Sequence, residues 1–309
     1  MEHRVAVLGI FAADLAFRAE RLPRMGETVL GQGFALGPGG KGSNQAVAAR
    51  RAGAAVSLIS RLGDDLFGRI ARDLWRGEGI DTAAVETSEA PTGTAFIFVQ
   101  AGTGENAIIV EPGAAAELSP ASVDAAAARI RAARVFLTQL EQPLAAARRG
   151  LEIARAAGIA TVLNPAPAAH LDDDLLRLCD YVTPNESEAA ALTGLPVADE
   201  AGARRAAQAL LAAGAGCAVV TLGERGALFH DRERCELVPA FRAGPVVDTT
   251  GAGDAFNGAF AAAIAEGIQP LAAARFACAA AGLSVTRPGT AAAMPTRAAI
   301  EALLRGSAA

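Results

Sequence analysis

Short apolar segments alternate with alanine-rich segments along most of this chain. The apolar segments are predicted strands, and they lie at residues 4–9, 55–60, 134–137, 160–164, 181–183 and 217–222. Strands without polar positions are typical of a sheet that is buried on both faces. The segments between them have helical spacing, and they lie at residues 43–52, 66–78, 122–133, 144–157 and 200–213. This alternation predicts an α/β fold with a mainly parallel sheet, in which ligands bind beyond the carboxyl ends of the strands.

Two segments interrupt the alternation. Residues 14–36 and 92–110 alternate apolar with polar side chains and contain glycine turns, so they are predicted to be antiparallel ribbons. Together they would form a small β-flap over the edge of the sheet. A chain of 309 residues, about half of them apolar, can bury one large core, and a single main domain over residues 1–309 is expected.

Composition excludes several classes of function. The formal charge is −5 and no run of Lys or Arg is long enough to follow a phosphate backbone, so no nucleic-acid partner is expected. The apolar part of the N-terminal stretch MEHRVAVLGI is shorter than the apolar region of a signal peptide. No later segment has the roughly 20 consecutive apolar residues of a membrane helix. We therefore expect a cytoplasmic protein with no membrane partner. The cysteines at 179, 217, 235 and 278 and the histidines at 3, 170 and 230 lack metal-site spacing, which favours buried reduced thiols and surface imidazoles.

The segment DTTGAGDAFNGAF, residues 248–260, carries the first candidate site. Gly251, Ala252 and Gly253 precede an apolar helix, where free backbone N–H groups and the helix dipole attract anions. Asp254 lies in the first turn, where an acidic residue can simply stabilise the dipole. Beside an anion-binding turn, the same carboxylate can take a proton from an alcohol while the turn holds the transferred group. The segment therefore points to phosphoryl transfer.

The segment GPGGKGSNQAVAARRAG, residues 37–53, is the second candidate. Its glycines could form only a flexible turn, with Ser43 or Asn44 as a helix N-cap. Alternatively, the glycines let the backbone approach a polyol while Lys41 and Asn44 bind hydroxyl groups. A Walker loop is excluded because Ala35 and Gly42 break its pattern, and Phe256 breaks the dinucleotide fingerprint, so a nicotinamide dehydrogenase is weakly supported.

These two segments resemble the two signatures of the ribokinase-like, or PfkB, carbohydrate kinase family. FLTQLEQP at 136–143, LNPAPA at 163–168, TPNESEAAALTG at 183–194 and VVTLGERGAL at 219–228 extend the resemblance over nearly the whole chain. The resemblance implies a three-layer sandwich with a small β-sheet lid made of residues 14–36 and 92–110. It also implies a kinase that transfers phosphate from ATP to the 5-hydroxyl of D-ribose, and a homodimer formed through the lid.

The resemblance also implies a role for particular residues. Asp254 would be the base, and Gly251, Ala252 and Gly253 would stabilise the γ-phosphate. The sugar pocket would contain Asp14, Gly40, Lys41, Asn44, Glu141 and Asp254, and the nucleotide would contact Asn185, Thr221, Gly223, Gly226 and Gly253. Glu188 would hold Mg²⁺ through water, and a monovalent cation, K⁺ by the resemblance, would bind carbonyl groups of Asp248, Thr250, Thr286 and Gly289.

Two positions depart from the pattern of the family. Ala12 stands where an asparagine commonly precedes the first sugar-binding aspartate by two residues, so one hydroxyl contact is expected to be missing. Cys278 stands where a histidine can lie near the adenine, which leaves the nucleotide preference open. Fructokinase, 2-keto-3-deoxygluconate kinase and nucleoside kinase activities remain alternatives within the family. A sensor that binds sugar or nucleotide without turnover is the alternative from another class.

Overall fold

The computed structural model describes residues 3–306. The strands are β1 (Arg4–Leu8), β2 (Ala12–Ala19), β3 (Gly33–Gly39), β4 (Ala55–Gly63), β5 (Asp81–Ser88), β6 (Thr92–Gln100), β7 (Asn106–Gly113), β8 (Val135–Thr138), β9 (Ala160–Leu163), β10 (Tyr181–Val182), β11 (Cys217–Thr221), β12 (Ala227–His230) and β13 (Cys235–Val238). The helices are α1 (Lys41–Arg51), α2 (Leu66–Gly77), α3 (Pro120–Ala125), α4 (Ala127–Arg131), α5 (Leu144–Ala156), α6 (Asp173–Leu176), α7 (Glu186–Thr193), α8 (Glu200–Ala212), α9 (Ala252–Glu266), α10 (Pro270–Ser284) and α11 (Arg297–Gly306).

The main sheet has the strand order β13-β12-β11-β10-β9-β8-β1-β4-β5. Its strands pair in parallel except where β11, β12 and β13 pair antiparallel at one edge. The predicted mainly parallel sheet is therefore confirmed. The sequence patterns did not predict β5, β12 or β13.

Side chains of the central strands alternate between two hydrophobic cores. In β1, Val5 and Val7 pack in the core that contains residues of α1, α9 and α10, whereas Ala6 and Leu8 pack in the core that contains residues of α5 and α8. A central strand is buried on both faces when helices cover both sides of its sheet, so its apolar run has no polar gaps. The three-layer sandwich is confirmed.

A second, smaller sheet has the order β3-β2-β6-β7. Its β2–β3 and β6–β7 pairs are antiparallel ribbons, and β2 joins them by pairing in parallel with β6. We call these four strands the small sheet. It confirms a separate sheet made of the two interrupting segments, although its strands begin at Ala12 and extend to Gly113, beyond the predicted limits.

Two local predictions are wrong. The helix predicted at 122–133 is two short helices, α3 and α4, because the backbone departs from helical geometry at Ala126. Neither Ser43 nor Asn44 is an N-cap, since α1 already begins at Lys41 after Gly40, whose φ is 84°. A Cβ atom at Gly40 would lie 2.6 Å from the carbonyl oxygen of Ile10, so only glycine fits this turn.

The cysteines are free, and three of the four are buried. Cys235 departs from the prediction because it is half-buried, with its Sγ 2.9 Å from Nη1 of Arg204. Burial raises the pKa of the Cys278 thiol to about 12. Within residues 3–306, no three His, Cys, Asp or Glu side chains group as metal ligands, and no helix combines the length and hydropathy needed to cross a bilayer.

Candidate active site

A cavity of about 170 Å³ lies at the carboxyl ends of the central strands, next to the first turn of α9. This is the edge of the sheet at which the α/β pattern predicts a ligand. The cavity brings together residues that are far apart in sequence: Lys41, Asn164, Ala166, Thr183, Asn185, Glu188, Thr221, Thr249, Gly251, Ala252, Gly253, Asp254 and Asn257.

Asp254 is buried beneath this cavity, with only 7% of its surface exposed. Its Oδ2 accepts a hydrogen bond of 3.0 Å from Nδ2 of Asn44, and its Oδ1 accepts one of 2.9 Å from Nε2 of Gln45. Burial raises the pKa of the Asp254 carboxyl, while Lys41 and these two donors act in the opposite direction. The carboxylate faces the cavity and forms no direct ion pair with any other residue in the described part of the chain.

Close packing of α1 against α9 makes these hydrogen bonds possible. A Cβ atom at Gly258 of α9 would lie 2.5 Å from the carbonyl oxygen of Gln45 and from Cβ of Ala48. Real Cβ contacts are not this short, so glycine at this position lets the two helix backbones approach. Asn44 and Gln45 on α1 therefore reach the acid on α9.

The turn before α9 has the geometry expected for anion binding. Gly251, with φ 77°, is the N-cap residue, so the amides of the first helical turn lack partners within the helix. The N–H of Ala252 makes a 3.2 Å hydrogen bond to the carbonyl oxygen of Thr249, which partly occupies that amide. Nδ2 of Asn257 donates to the carbonyl oxygen of Gly253 at 2.8 Å, and the Thr183 hydroxyl bonds Oδ1 of Asn257. These side-chain contacts fix the turn from below.

Further acidic groups surround Lys41. Its backbone N–H donates to Oε2 of Glu141 at 2.7 Å. Burial raises the pKa of Glu141 to about 7, although Lys41 partly opposes the shift. Burial and then the neighbouring Asp254 raise the pKa of Asp14 to about 6. Burial alone would lower the pKa of Lys41, but the carboxylates of Asp254, Glu141 and Glu188 raise it above its ordinary value.

Asn185 and Glu188 form a helix capping box at the start of α7. The Glu188 N–H donates to Oδ1 of Asn185 at 2.8 Å, and the Asn185 N–H donates to Oε2 of Glu188 at 2.9 Å. Glu188 is only 8% exposed, so it is not the solvated surface charge that an isolated helical glutamate suggests. Burial raises its pKa, and Lys41 lies near enough to oppose that shift. Both side chains therefore stabilise the helix and line the cavity.

The predicted nucleotide residues divide between the cavity wall and the turn after β11, and the four predicted cation residues are not part of that wall. Thr221 lines the cavity and bridges to Asn185, whereas Gly223 and Gly226 lie in the turn that follows β11. Asp248 joins the two predicted cation loops, because its Oδ1 accepts from the Thr250 N–H and its Oδ2 from the Gly289 N–H, both at 2.9 Å. Burial raises the pKa of Asp248, but these hydrogen bonds outweigh that effect and lower it overall. The Thr286 hydroxyl donates to the carbonyl oxygen of Leu283 at 2.7 Å, in the last turn of α10.

Comparison with known proteins decides the family. The model for the pfkB family carbohydrate kinases matches residues 2–297. The chain belongs to the pfkB family. It is thus a carbohydrate kinase by family, which contradicts the dehydrogenase alternative.

Individual pfkB relatives cover almost the whole chain. It is 41% identical to a ribokinase of Haemophilus influenzae, over 96% of this chain and 97% of that protein. It is 38% identical to a deoxyribokinase of Salmonella typhi, over 94% and 95% of the two chains. A structure of Arabidopsis thaliana ribokinase complexed with ribose and ATP superposes with a TM-score of 0.93 at 32% identity, and 99% of each chain is covered.

The structure adds site residues of this pfkB protein that the sequence analysis did not single out. They are Gln45, Gln139, Asn164, Thr183 and Asn257, and each is at least 94% buried. Gln139, Asn164 and Thr183 lie at or just beyond the end of an apolar strand, and Gln45 and Asn257 lie inside the two signature segments. A polar residue at the carboxyl end of a buried strand was the signal that could have revealed the first three.

Proposed function

We propose that this carbohydrate kinase transfers the γ-phosphoryl group of ATP to the 5-hydroxyl of D-ribose, which yields ribose 5-phosphate and ADP. One observation carries the proposal: the buried Asp254 faces a cavity whose wall includes the backbone of Gly251, Ala252 and Gly253. The ribokinase relatives support ribose as the acceptor and ATP as the donor.

In this reaction the hydroxyl oxygen attacks the γ-phosphorus while its proton passes to Asp254. The bond between the γ-phosphorus and the bridging oxygen breaks, and that oxygen keeps the electron pair and leaves with ADP. The amides of residues 251–253 and the Lys41 ammonium stabilise the charge on the transferred group. The residues proposed to bind the sugar are Asp14, Gly40, Lys41, Asn44, Glu141 and Asp254. Those proposed to bind the nucleotide are Asn185, Thr221, Gly223, Gly226 and Gly253.

The residues present fit a nucleotide that arrives with Mg²⁺. Oε2 of Glu188 is used in the capping box, while Oε1 receives no hydrogen bond from the described residues and is available to a hydrated ion. One carboxylate is typical of a Mg²⁺ ion held mainly by phosphates and water, and the ion neutralises phosphate charge when it is bound. Glu188 is thus the proposed Mg²⁺ residue.

We also propose that a monovalent cation, K⁺, binds carbonyl groups of Asp248, Thr250, Thr286 and Gly289. The Asp248 carboxylate supports this, since it links residues 248–250, which precede α9, to Gly289, which follows α10. The test replaces K⁺ by Na⁺ at constant ionic strength. Slower turnover in Na⁺ is expected, and an unchanged rate would count against the site.

The small sheet supports the proposals of a lid and a homodimer. Its two edge strands carry large apolar side chains that are 42–69% exposed: Ile108, Ile109 and Val110 of β7, and Phe34 and Leu36 of β3. Unpaired edges with exposed apolar side chains are suited to pairing with a second copy. Such a lid would exclude water from the transferred phosphate.

A cytoplasmic location remains a prediction.

A second candidate substrate is 2-deoxyribose. Ala12 and Asp14 lie two residues apart on β2, so their side chains leave the same face of the strand, and Ala12 provides no hydrogen-bonding group there. Without a hydrogen-bonding group at residue 12, the site discriminates less strongly against a sugar that lacks one hydroxyl group. The deoxyribokinase relative supports this candidate.

The test is coupled measurement of ADP release with ribose, 2-deoxyribose, fructose, 2-keto-3-deoxygluconate and adenosine. We expect the highest kcat/KM for ribose, with 2-deoxyribose second. A higher value for fructose or adenosine would overturn the proposed acceptor. Sugar binding without ADP release from any acceptor would favour the non-catalytic sensor.

A further inference from the structure

We infer that Gln45 is a positioning residue for the proposed reaction: its side-chain amide, which accepts a hydrogen bond from Gln139, holds the Asp254 carboxylate toward the acceptor. The inference rests on the proposed function of Asp254 as the base. It assigns a role to a residue that is absent from the cavity wall and has no solvent-exposed surface.

The hydrogen bonds form a continuous chain. Nε2 of Gln139 donates to Oε1 of Gln45 at 2.6 Å. Nε2 of Gln45 then donates to Oδ1 of Asp254 at 2.9 Å and to Oδ1 of Asn164 at 3.0 Å. Nδ2 of Asn164 donates onward to the Thr183 carbonyl oxygen at 3.0 Å. Both ends of the Gln45 amide are therefore occupied.

This chain permits only one orientation of the Gln45 amide. A reversed amide would place Oε1 against the oxygens of Asp254 and Asn164, and would set two N–H groups against each other at Gln139. Burial makes such mismatches costly, because no water can replace the lost partners. The Asp254 carboxylate only accepts, so it selects the orientation in which Gln45 presents its N–H₂ group. Gln139 completes that arrangement by donating to Oε1 of Gln45, while its own Oε1 has no hydrogen-bond partner within residues 3–306.

Gln45 and Asn44 act on different oxygens of the base. Asn44 bonds Oδ2, and its own Oδ1 is buried without a hydrogen-bond partner within residues 3–306, as expected for a side chain that awaits a sugar hydroxyl. If Asn44 exchanges its bond to Asp254 for one to the sugar, Gln45 still bonds Oδ1 of Asp254. Gln45 thus fixes the direction of the carboxylate during turnover.

The charged groups around Asp254 make its titration a sensitive measure of this contact. Lys41 on α1 favours the ionised acid, whereas Glu141, Asp14 and Glu188 lie on the elements around it and disfavour ionisation. A donated hydrogen bond favours the carboxylate, so its loss should raise the pKa of Asp254. The base would then be protonated up to a higher pH.

The test compares Gln45→Met with the wild-type enzyme. Methionine keeps the volume but cannot donate, so we expect kcat to fall about tenfold to a hundredfold because the base is misplaced. The acidic limb of the kcat–pH profile should move up by about one pH unit. In the Asp254→Asn background, Gln45→Met should cost almost nothing further, because the two residues act as a unit.

Gln142→Met is the matched control. Gln142 is also a buried glutamine. Its Nε2 donates to the Thr138 hydroxyl at 2.8 Å and to the backbone carbonyl oxygen of Gln139 at 2.5 Å, but within residues 3–306 it makes no hydrogen bond to Asp254 or to the Gln139 side chain. It should lower Tm without moving the acidic limb. If Gln45→Met does not fold, Gln139→Met is tested in its place. The acidic limb of its kcat–pH profile should also move to higher pH, by less than in Gln45→Met. An unmoved limb in the Gln45 or Gln139 variant, or fully multiplicative losses with Asp254→Asn, would overturn the inference.

A readout without turnover separates this inference from the proposed function. The carboxyl ¹³C signal of Asp254, assigned by its loss in Asp254→Asn, should titrate at a higher pH in Gln45→Met than in the wild type. If no sugar is phosphorylated, the proposed function fails, and this titration alone decides whether Gln45 controls the acid. Equal titration in both proteins would contradict the inference.

Discussion

The hydrogen-bonded cluster around Asp254 and the small sheet differ in how much of their side-chain surface is exposed to solvent. Asp254, Gln45 and Asn164 are buried and joined by hydrogen bonds of 2.9–3.0 Å. In the small sheet, by contrast, Phe34 is 58% exposed and Ile109 is 69% exposed. Preorganised polar groups need little rearrangement during a reaction, whereas exposed apolar strands gain from being covered. The proposed base is therefore already held in position in this chain, whereas the small sheet has the exposed apolar surface of the proposed lid and dimer interface.

The largest expected effect comes from Asp254→Asn. The amide keeps the shape of the side chain but cannot accept a proton, so kcat should fall roughly 10²–10⁴-fold. Ribose affinity, measured by calorimetry, should stay within a few-fold, because asparagine has nearly the size of Asp254 and the other proposed sugar-binding residues are unchanged. Near-normal turnover would show that the buried cluster does not provide the base.

Ile109→Asp should disrupt the uncovered region alone. A charge at this 69% exposed position of β7 would be buried on dimer formation, and the dimer Kd should rise by about 100-fold or more. Sedimentation measures this change, and the KM for ribose should rise with it. Ala201→Asp is the control, because Ala201 is exposed in the first turn of α8 and lies outside both lid segments. A variant that sediments like the wild type would exclude the small sheet as the interface.

Gly258→Ala should disturb the buried cluster through the backbone. The added Cβ would lie 2.5 Å from the Gln45 carbonyl oxygen, and overpacking of this kind costs about 1–3 kcal/mol of unfolding free energy. Denaturant unfolding and kcat should both report the loss. Gly77→Ala, a helical glycine with nothing within 4 Å of the added Cβ, is the control. Equal stability of the two variants would mean that α1 and α9 are not tightly packed.

Glu141→Gln tests the acidic group beside Lys41 through pH. The folded pKa of about 7 lies above the ordinary value of 4.5, so this carboxyl contributes stability that is complete below pH 4.5 and is lost as pH rises through 7. The variant should therefore match the wild-type Tm near pH 5 and exceed it by roughly 2–5 °C at pH 8. Glu224→Gln, at an exposed position, is the control. A constant Tm difference across this range would contradict the shifted pKa.

The smallest effect is expected for Ala12→Asn. A new neutral hydrogen bond contributes about 0.5–1.5 kcal/mol, so the ratio of kcat/KM for ribose to that for 2-deoxyribose should rise about twofold to twelvefold. Steady-state kinetics with both sugars measure this ratio. An equal change for both sugars would mean that residue 12 does not contact the distinguishing hydroxyl.

Local patterns predicted the parts of the molecule that local sequence determines. The central strands are continuously apolar because both faces are buried, and Gly251 to Asp254 form a helix start whose chemistry is readable from the segment itself. The edge strand β5 was missed because its sequence DTAAVETS is neither strongly apolar nor regularly alternating. The hydrogen bond between Gln45 and Asp254 joins residues 209 positions apart, and only the packing of α1 on α9 brings them together. No spacing within one segment predicts such a contact.

The most direct test follows the phosphorus signals of MgATP by ³¹P NMR in the presence of ribose, with wild-type enzyme and with Asp254→Asn in parallel. The γ-phosphate signal should be replaced one for one by a ribose phosphomonoester in the wild-type sample, and should persist in the variant sample. Formation of inorganic phosphate instead of the sugar ester, or equal ester formation in both samples, would contradict the account.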